Sequence, residues 1–314
     1  MILATKRRCT VLGAGFIGKA VIRNLLLKGN DVSVLDRHIC PDEFAGKVTW
    51  ITADYHDQHS LRAALLGASV AYHLVSSTVP GDQHVDVAKE LNENVVGSLH
   101  FVDACVAAGI KRIVFASSAS VYGIQDCLPI NESAPTNPIS AHGIHKLTVE
   151  KYLLLAHRLH GIEVRVLRIA NPYGPDQNLL GRQGFIAIVI GNLLRGTPVP
   201  LRDNGSSVRD YIYIDDVAEA LVLSGSLDGL PSVINIASGK GYSLQEVVNL
   251  MERLIGHQIV TVPTESRIMD IPSSILDVEL ARTAMSFVPA TGLRVGLIKT
   301  LRHHGFHISD EDVI

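Results

Sequence analysis

Cysteine is scarce in this chain of 314 residues. The four that occur, Cys9, Cys40, Cys105 and Cys127, form no CxxC pair. That argues against a disulfide framework and points to a reducing, cytoplasmic setting. Charge of one sign is also missing: 28 Lys and Arg face 31 Asp and Glu, a formal net charge of -3. The strongly basic footprint of a nucleic-acid binder is therefore absent, and no nucleic-acid partner is expected. Long hydrophobic runs are lacking too. The longest, GFIAIVIGNLL at 184–194, is well short of the roughly 20 residues that span a bilayer, so no membrane association is expected. The opening KRRCTVLGAGFIGKAVI imitates a signal peptide, but its glycines and Lys19 suit a strand, turn and helix better. The 14 histidines fall in scattered pairs such as His142/His145 and His304/His307, with neither HExxH nor a cysteine partner, so no metal site is expected. There is no internal repeat and no low-complexity tract.

What is present is a large apolar fraction, 47% against 19% charged residues, enough for a sizeable core. Short apolar runs at Cys9–Leu12, Val32–Leu35, Val48–Ile51, Val70–Leu74, Ile113–Ala116 and Glu163–Leu167 read as strands. Helical patterns at 16–29, 59–66, 85–108 and 140–160 lie between them. Strands separated by helices need crossover connections, which predicts an α/β fold with a doubly wound parallel sheet of Rossmann type. Beyond residue 170, frequent prolines punctuate shorter elements. A smaller C-terminal α/β lobe is expected over 171–209 and 242–314, with 1–170 as the dinucleotide-binding domain and 210–241 returning to it.

The first functional signal is GAGFIG, with Gly13, Gly15 and Gly18 between a strand and a helix that begins at Phe16 and Ile17. The glycines serve a tight turn, close backbone approach to a pyrophosphate, and close helix–sheet packing. The helix N-terminus then offers free N–H groups to the phosphates. Asp36 ends the next strand, 18 residues after Gly18. A carboxylate there can bind the ribose 2′-hydroxyl and repel a 2′-phosphate, which favours NAD over NADP. Arg37 and His38 follow it directly and leave NADP open.

A second signal is FASSASVYG at 115–123, followed by NPISAHGIHKLTVEKYLL at 137–154. Together with GAGFIG these segments resemble the extended short-chain dehydrogenase/reductases, most closely the nucleotide-sugar epimerase/dehydratase family. The resemblance covers nearly the whole chain. It implies Ser118 as the hydroxyl that bonds the reacting oxygen and Lys146 as the lysine of the family's Tyr-x-x-x-Lys. The sequence departs at the centre of that motif, because His142 stands where the tyrosine belongs. None of the eight tyrosines has a lysine four residues later, so no shifted alignment restores it. Imidazole, with an ordinary pKa of about 6.5, needs little tuning to act as a base. It reaches less far than a phenol, and a displacement of about 1 Å can cost roughly 100-fold in rate. Three readings stay open: an epimerase with His142 as base, a dehydrogenase or reductase of the same substrates, and a binding protein that has lost the redox step. Ala119 and Ser120 stand where family dehydratases carry Asp-Glu, which argues against a 4,6-dehydratase.

The resemblance implies further contacts. Asp54 and Tyr55 match the pair beside adenine, and Leu74, Val75 and Ser76 the segment near the diphosphate and ribose. Asn94 matches an asparagine that ties its helix to the active-site strand. For a nucleotide-sugar substrate, Asn171, Arg209 and Arg267 match contacts to the diphosphate, Pro200 and Arg202 to the nucleobase, and Asp270 to the ribose. Arg202 occupies a position that is usually aromatic. The helices at 85–108 and 140–160 match those that pair across a homodimer as a four-helix bundle. Ser243 reads as a helix N-cap, and Cys127 as a packing residue.

Overall fold

The computed structural model describes residues 6–77, 86–181, 183–265 and 270–309. Apolar strands pair in parallel because helices carry the chain back over the sheet each time. The strands are β1 (Arg8–Leu12), β2 (Asp31–Asp36), β3 (Thr49–Thr52), β4 (Val70–His73), β5 (Arg112–Ser118), β6 (Glu163–Ile169), β7 (Asn171–Tyr173), β8 (Val199–Arg202), β9 (Val208–Tyr213), β10 (Val233–Ile236), β11 (Gly241–Ser243), β12 (Thr261–Thr264) and β13 (Ser273–Ser274). Seven form one parallel sheet in the order β10-β6-β5-β4-β1-β2-β3. The order reverses between β1 and β4, the switch point at which doubly wound sheets bind their ligands. A sheet of β11, β9 and β13, with β7 on β9, and a β8–β12 pair make up the rest. The return expected from residue 210 comes only after β9, through the helix that follows it and β10.

The helices are α1 (Phe16–Leu27), α2 (Gln58–Leu65), α3 (Val87–Leu91), α4 (Gly97–Ala107), α5 (Ala141–His160), α6 (Phe185–Arg195), α7 (Ile214–Ser226), α8 (Leu244–Ile255), α9 (Glu279–Met285) and α10 (Leu293–His303). The period-2 alternation of the strands sends side chains to two apolar layers. Val11, Val34 and Ala116 pack with Ile22 of α1 and Leu221 of α7. Leu12, Leu35 and Phe115 pack with Leu65 of α2, Phe101 of α4 and Leu153 of α5. The apolar run at 184–194 is α6, and no helix among the described residues is long and apolar enough to cross a membrane.

The helix expected over 85–108 is a continuous helical run in the described residues, but it carries a π-helical turn at Asn92–Val96 between α3 and α4. Such turns insert one extra residue and often mark functional positions. Ser243 caps α8 in a reciprocal capping box with Glu246. Cys127 is exposed, not packed, because the loop after Tyr122 runs over the surface.

Candidate active site

The dinucleotide loop is shaped by sterics. Gly13 holds φ +86°, and a Cβ there would press on Val75 at 3.0 Å. A Cβ on Gly18 would collide with the carbonyl oxygen of Gly13. At Gly15 a Cβ would meet nothing within 4 Å, so open space lies over the backbone where a pyrophosphate would approach. Gly15 is the N-cap of α1 and no side chain caps that helix, so the N–H groups of its first turn, including those of Phe16 and Ile17, remain available to an anion. These residues fit NAD. Beside the loop is a hollow of about 300 Å³ lined by Ala14, Gly15, Phe16, Lys19, Asp36, His38, Trp50 and Asp176, among others. Sequence reasoning did not foresee Lys19, Trp50 or Asp176 there, since the last two reach it from other elements.

Asp36 lines this hollow with its carboxylate already oriented. One oxygen accepts from Ala14 N at 2.7 Å, the other from His38 N at 2.8 Å and from the His38 ring at 2.9 Å. Arg37 is exposed beside it. Asp54 is exposed and accepts from His56 N at 2.9 Å. The Tyr55 ring turns inward, against Gly97 of α4 and near His73, and burial pushes its phenol up. Its side chain is half-buried and packs on these neighbours. Leu74, Val75 and Ser76 follow β4, with Val75 against Gly13.

Asn94 is held by several bonds. Its side chain accepts from Ser77 N at 2.9 Å and donates to Ser77 Oγ at 2.8 Å and Glu90 O at 2.8 Å. It thus braces the segment after β4, the neighbour of β5. Asn94 lies within the π-helical turn.

At the reacting end, Ser118 closes β5 and its Oγ accepts from Ser120 N at 3.2 Å and Ser120 Oγ at 2.9 Å. The start of α5 packs directly on this turn: a Cβ on Gly143 would lie 2.6 Å from the carbonyl of Ser120. Ser140 caps the helix by accepting from Gly143 N at 3.2 Å. His142 and Lys146, one helical turn apart, are both buried, at 7% and 8% exposure. They line a small cavity of about 10 Å³ with Ser76, Asn94, Ser98 and His145, so α5, the π-helical turn and the segment after β4 converge here. Lys146 donates to Ala116 O at 2.8 Å and lies 4.7 Å from the centre of the Phe115 ring. Burial pushes its ammonium down to about 8, against the attraction of Glu150. His145, next to it, was not foreseen as a lining residue; burial lowers its pKa.

The residues matched to the substrate are spread over the smaller sheets. Asn171 donates to Asp210 O at 3.0 Å, which fixes its amide. Pro200 is exposed on β8. Arg202 pairs with Asp270 at 3.7 Å, so two of these residues meet each other. Arg209 donates to Val208 O at 2.8 Å and Pro272 O at 3.4 Å; burial lowers its pKa, opposed by Tyr211 and Asp270. Arg267 lies outside the described residues.

The chain matches, over residues 9–237, the family model described as NAD dependent epimerase/dehydratase family. It is 30% identical over 304 residues to a UDP-glucose 4-epimerase of Mycolicibacterium smegmatis, covering 94% of this chain and 97% of that one. Among solved structures it is similar to UDP-glucose 4-epimerase of Thermotoga maritima with UDP-glucose: TM-score 0.88, 29% identity, 95% of this chain and 98% of that chain. It is also similar to MoeE5 in complex with UDP-glucuronic acid and NAD: TM-score 0.87, 33% identity, the same coverage of each. A glycine loop built for a dinucleotide, at the switch point of a parallel sheet, thus agrees with a match across most of the chain: the protein belongs to the NAD dependent epimerase/dehydratase family, and NAD is its cofactor.

Proposed function

We propose that the protein is an NAD-dependent nucleotide-sugar epimerase, acting at C4 of a UDP- or dTDP-sugar, with His142 in place of the family's tyrosine base. The observation that carries this is the meeting of His142 and Lys146 in one buried cavity, beside Ser76 and at the foot of the β5 turn that holds Ser118. The similarity to UDP-sugar 4-epimerases supports the substrate class. Bound on the glycine loop, NAD supplies a hydride acceptor that can give the hydride back. Ser118, still able to donate, holds the reacting hydroxyl oxygen of the sugar. The His142 imidazole takes the hydroxyl proton while the C4–H bond breaks, leaving a ketone at C4. A ketone turned over within the site would present its other face to the cofactor, which would supply the hydride that restores the alcohol. His142 then gives the proton back, so the cycle has no net oxidation. Lys146 is fixed on Ala116 O one helical turn beyond His142. Asn171, Arg202, Arg209 and Arg267 would grip the nucleotide, guanidinium groups matching phosphate through their planar forks. Exposed Ile144, Tyr152, Leu155 and Leu159 on α5, with Val87 and Leu91 on α3, form an apolar stripe that supports pairing of these helices in a homodimer.

One observation favours a second reading: the departure at His142 itself fits a protein that keeps NAD and nucleotide sugar without turnover. The test is incubation with NAD and a panel of nucleotide sugars, with 340 nm absorbance recorded and products resolved chromatographically. A new isomer without net NAD reduction is the expected result. Stoichiometric reduction would make it a dehydrogenase, and binding without any product would favour the second reading.

A further inference from the structure

Behind the cavity lies a buried polar cluster that the proposed chemistry does not use. Glu150 follows Lys146 by one helical turn and is 1% exposed. Its carboxylate accepts from Ser117 Oγ, from Arg168 Nε at 3.2 and 3.3 Å, and from Arg168 Nη2 at 2.7 Å. Arg168 lies over the Tyr122 ring at 4.8 Å and donates to Glu132 O at 3.3 Å. Tyr122 Oη donates to Asn235 Oδ1 at 2.7 Å, and Asn235 reaches Ile130 O at 2.9 Å and Asp277 O at 3.3 Å. The cluster therefore joins α5, β5, β6 and β10 to the segments around 130 and 277.

Its position follows from strand alternation. Phe115 and Ser117 face α5, while Ala116 between them faces the other apolar layer. Glu150 grips Ser117, and Lys146 one turn earlier grips the carbonyl of Ala116. The register between helix and strand is thus clamped at two successive points, beside Ser118.

We propose that Glu150 and Arg168 are positioning residues for Lys146: their ion pair ties α5 to β6, Glu150 also holds Ser117 of β5, and together they set the charge the lysine carries beside the reacting centre. The inference rests on the placement of Lys146 at that centre. A buried ammonium is costly unless an opposite charge is near. Around Lys146 the titratable and charged groups are His73 from β4, His142, His145 and Glu150 from α5, and Arg168 from β6 behind Glu150. The buried Glu90 of α3 lies one turn before Asn94. His73 is held neutral by burial. Glu150 is the charge that supports the ammonium, and Arg168 competes for it.

That competition predicts shifts of opposite sign. Protein labelled with ¹³C at lysine Cε is titrated by NMR, and the Lys146 signal is identified by its loss in Lys146→Met. Glu150→Gln is expected to lower the Lys146 midpoint by about one pH unit, a tenfold change in the ratio of charged to neutral lysine. Arg168→Met is expected to raise it. Once turnover is measured, the alkaline limb of its pH profile moves with the midpoint in both variants. Should Glu150→Gln fail to fold, Arg168→Met and Ser117→Ala carry the test, the latter by leaving Glu150 less satisfied and so a stronger partner. A midpoint unmoved in folded variants, or moved the same way by Glu150→Gln and Arg168→Met, overturns the proposal. The titration uses no sugar, so it stands or falls separately from the substrate assignment.

Discussion

The two ends of the cleft are built in different ways. The cofactor end is a backbone structure: Gly13, Gly15 and Gly18 lie within six residues, and their missing side chains make the cradle. The reacting end is a side-chain structure, in which β4, β5, the π-helical turn and α5 each contribute a piece. The first tolerates no added atom at Gly13 or Gly18. The second places an imidazole, His142, one helical turn before Lys146, which is held on Ala116 O. A steric cradle fails all at once, whereas a clamped side chain can be replaced and the clamp remain.

Three substitutions sharpen this contrast. Gly18→Ala drives a methyl into the Gly13 carbonyl, and neither backbone can yield without opening the loop. A loss of NAD affinity of at least about 1000-fold, about 4 kcal/mol, is expected by calorimetry. A tenfold effect or less would mean that the loop is not the cradle.

The next test concerns the floor of the reacting end. His73 bonds Ser98 Oγ at 2.7 Å between Phe101 and Phe115, and burial pushes its pKa down to about 3. The unfolded chain takes up this proton as pH falls through about 6.5, while the folded protein stays neutral down to about 3. The contribution of His73 is therefore complete above pH 6.5 and lost progressively below it. The ceiling is about 5 kcal/mol, and a loss of about 2 kcal/mol between pH 7 and 4.5 is expected in urea unfolding. His73→Asn should flatten that slope; an unchanged slope would place the proton uptake elsewhere.

The smallest effect is expected for Gly143→Ala. Its methyl would sit 2.6 Å from Ser120 O, so α5 must shift by a fraction of an ångström. Turnover should fall about 10-fold with NAD affinity nearly unchanged, because the cradle is untouched. A parallel loss of NAD affinity would show that the two ends are not independent.

The sequence made the cofactor end readable because all its parts are local. The glycines, the strand before them and Asp36 fall within 29 residues, β1 through β2. Strand alternation with helices also conveyed the parallel sheet. The rest depended on contacts that no local pattern records. Tyr55 turns inward only because α4 presents Gly97 to it. Asn94 meets Ser77 from a π-helical turn within a helix whose apolar pattern reads as regular. The pairing of Glu150 with Ser117 and Arg168 joins residues 33 and 18 positions apart. Its one sequence trace is an ionisable residue a turn beyond Lys146, on the same helix face. The joining of Arg202 to Asp270 needed the fold to bring β8 beside the chain entering β13.

His142 is the proposed base of the reacting end. The most direct measurement compares wild type with His142→Ala, recording nucleotide-sugar turnover and NAD affinity on the same preparations. A fall in kcat of at least about 100-fold, with NAD affinity within about twofold of wild type, is the expected result. Equal turnover in the two proteins would put the base elsewhere and contradict the account.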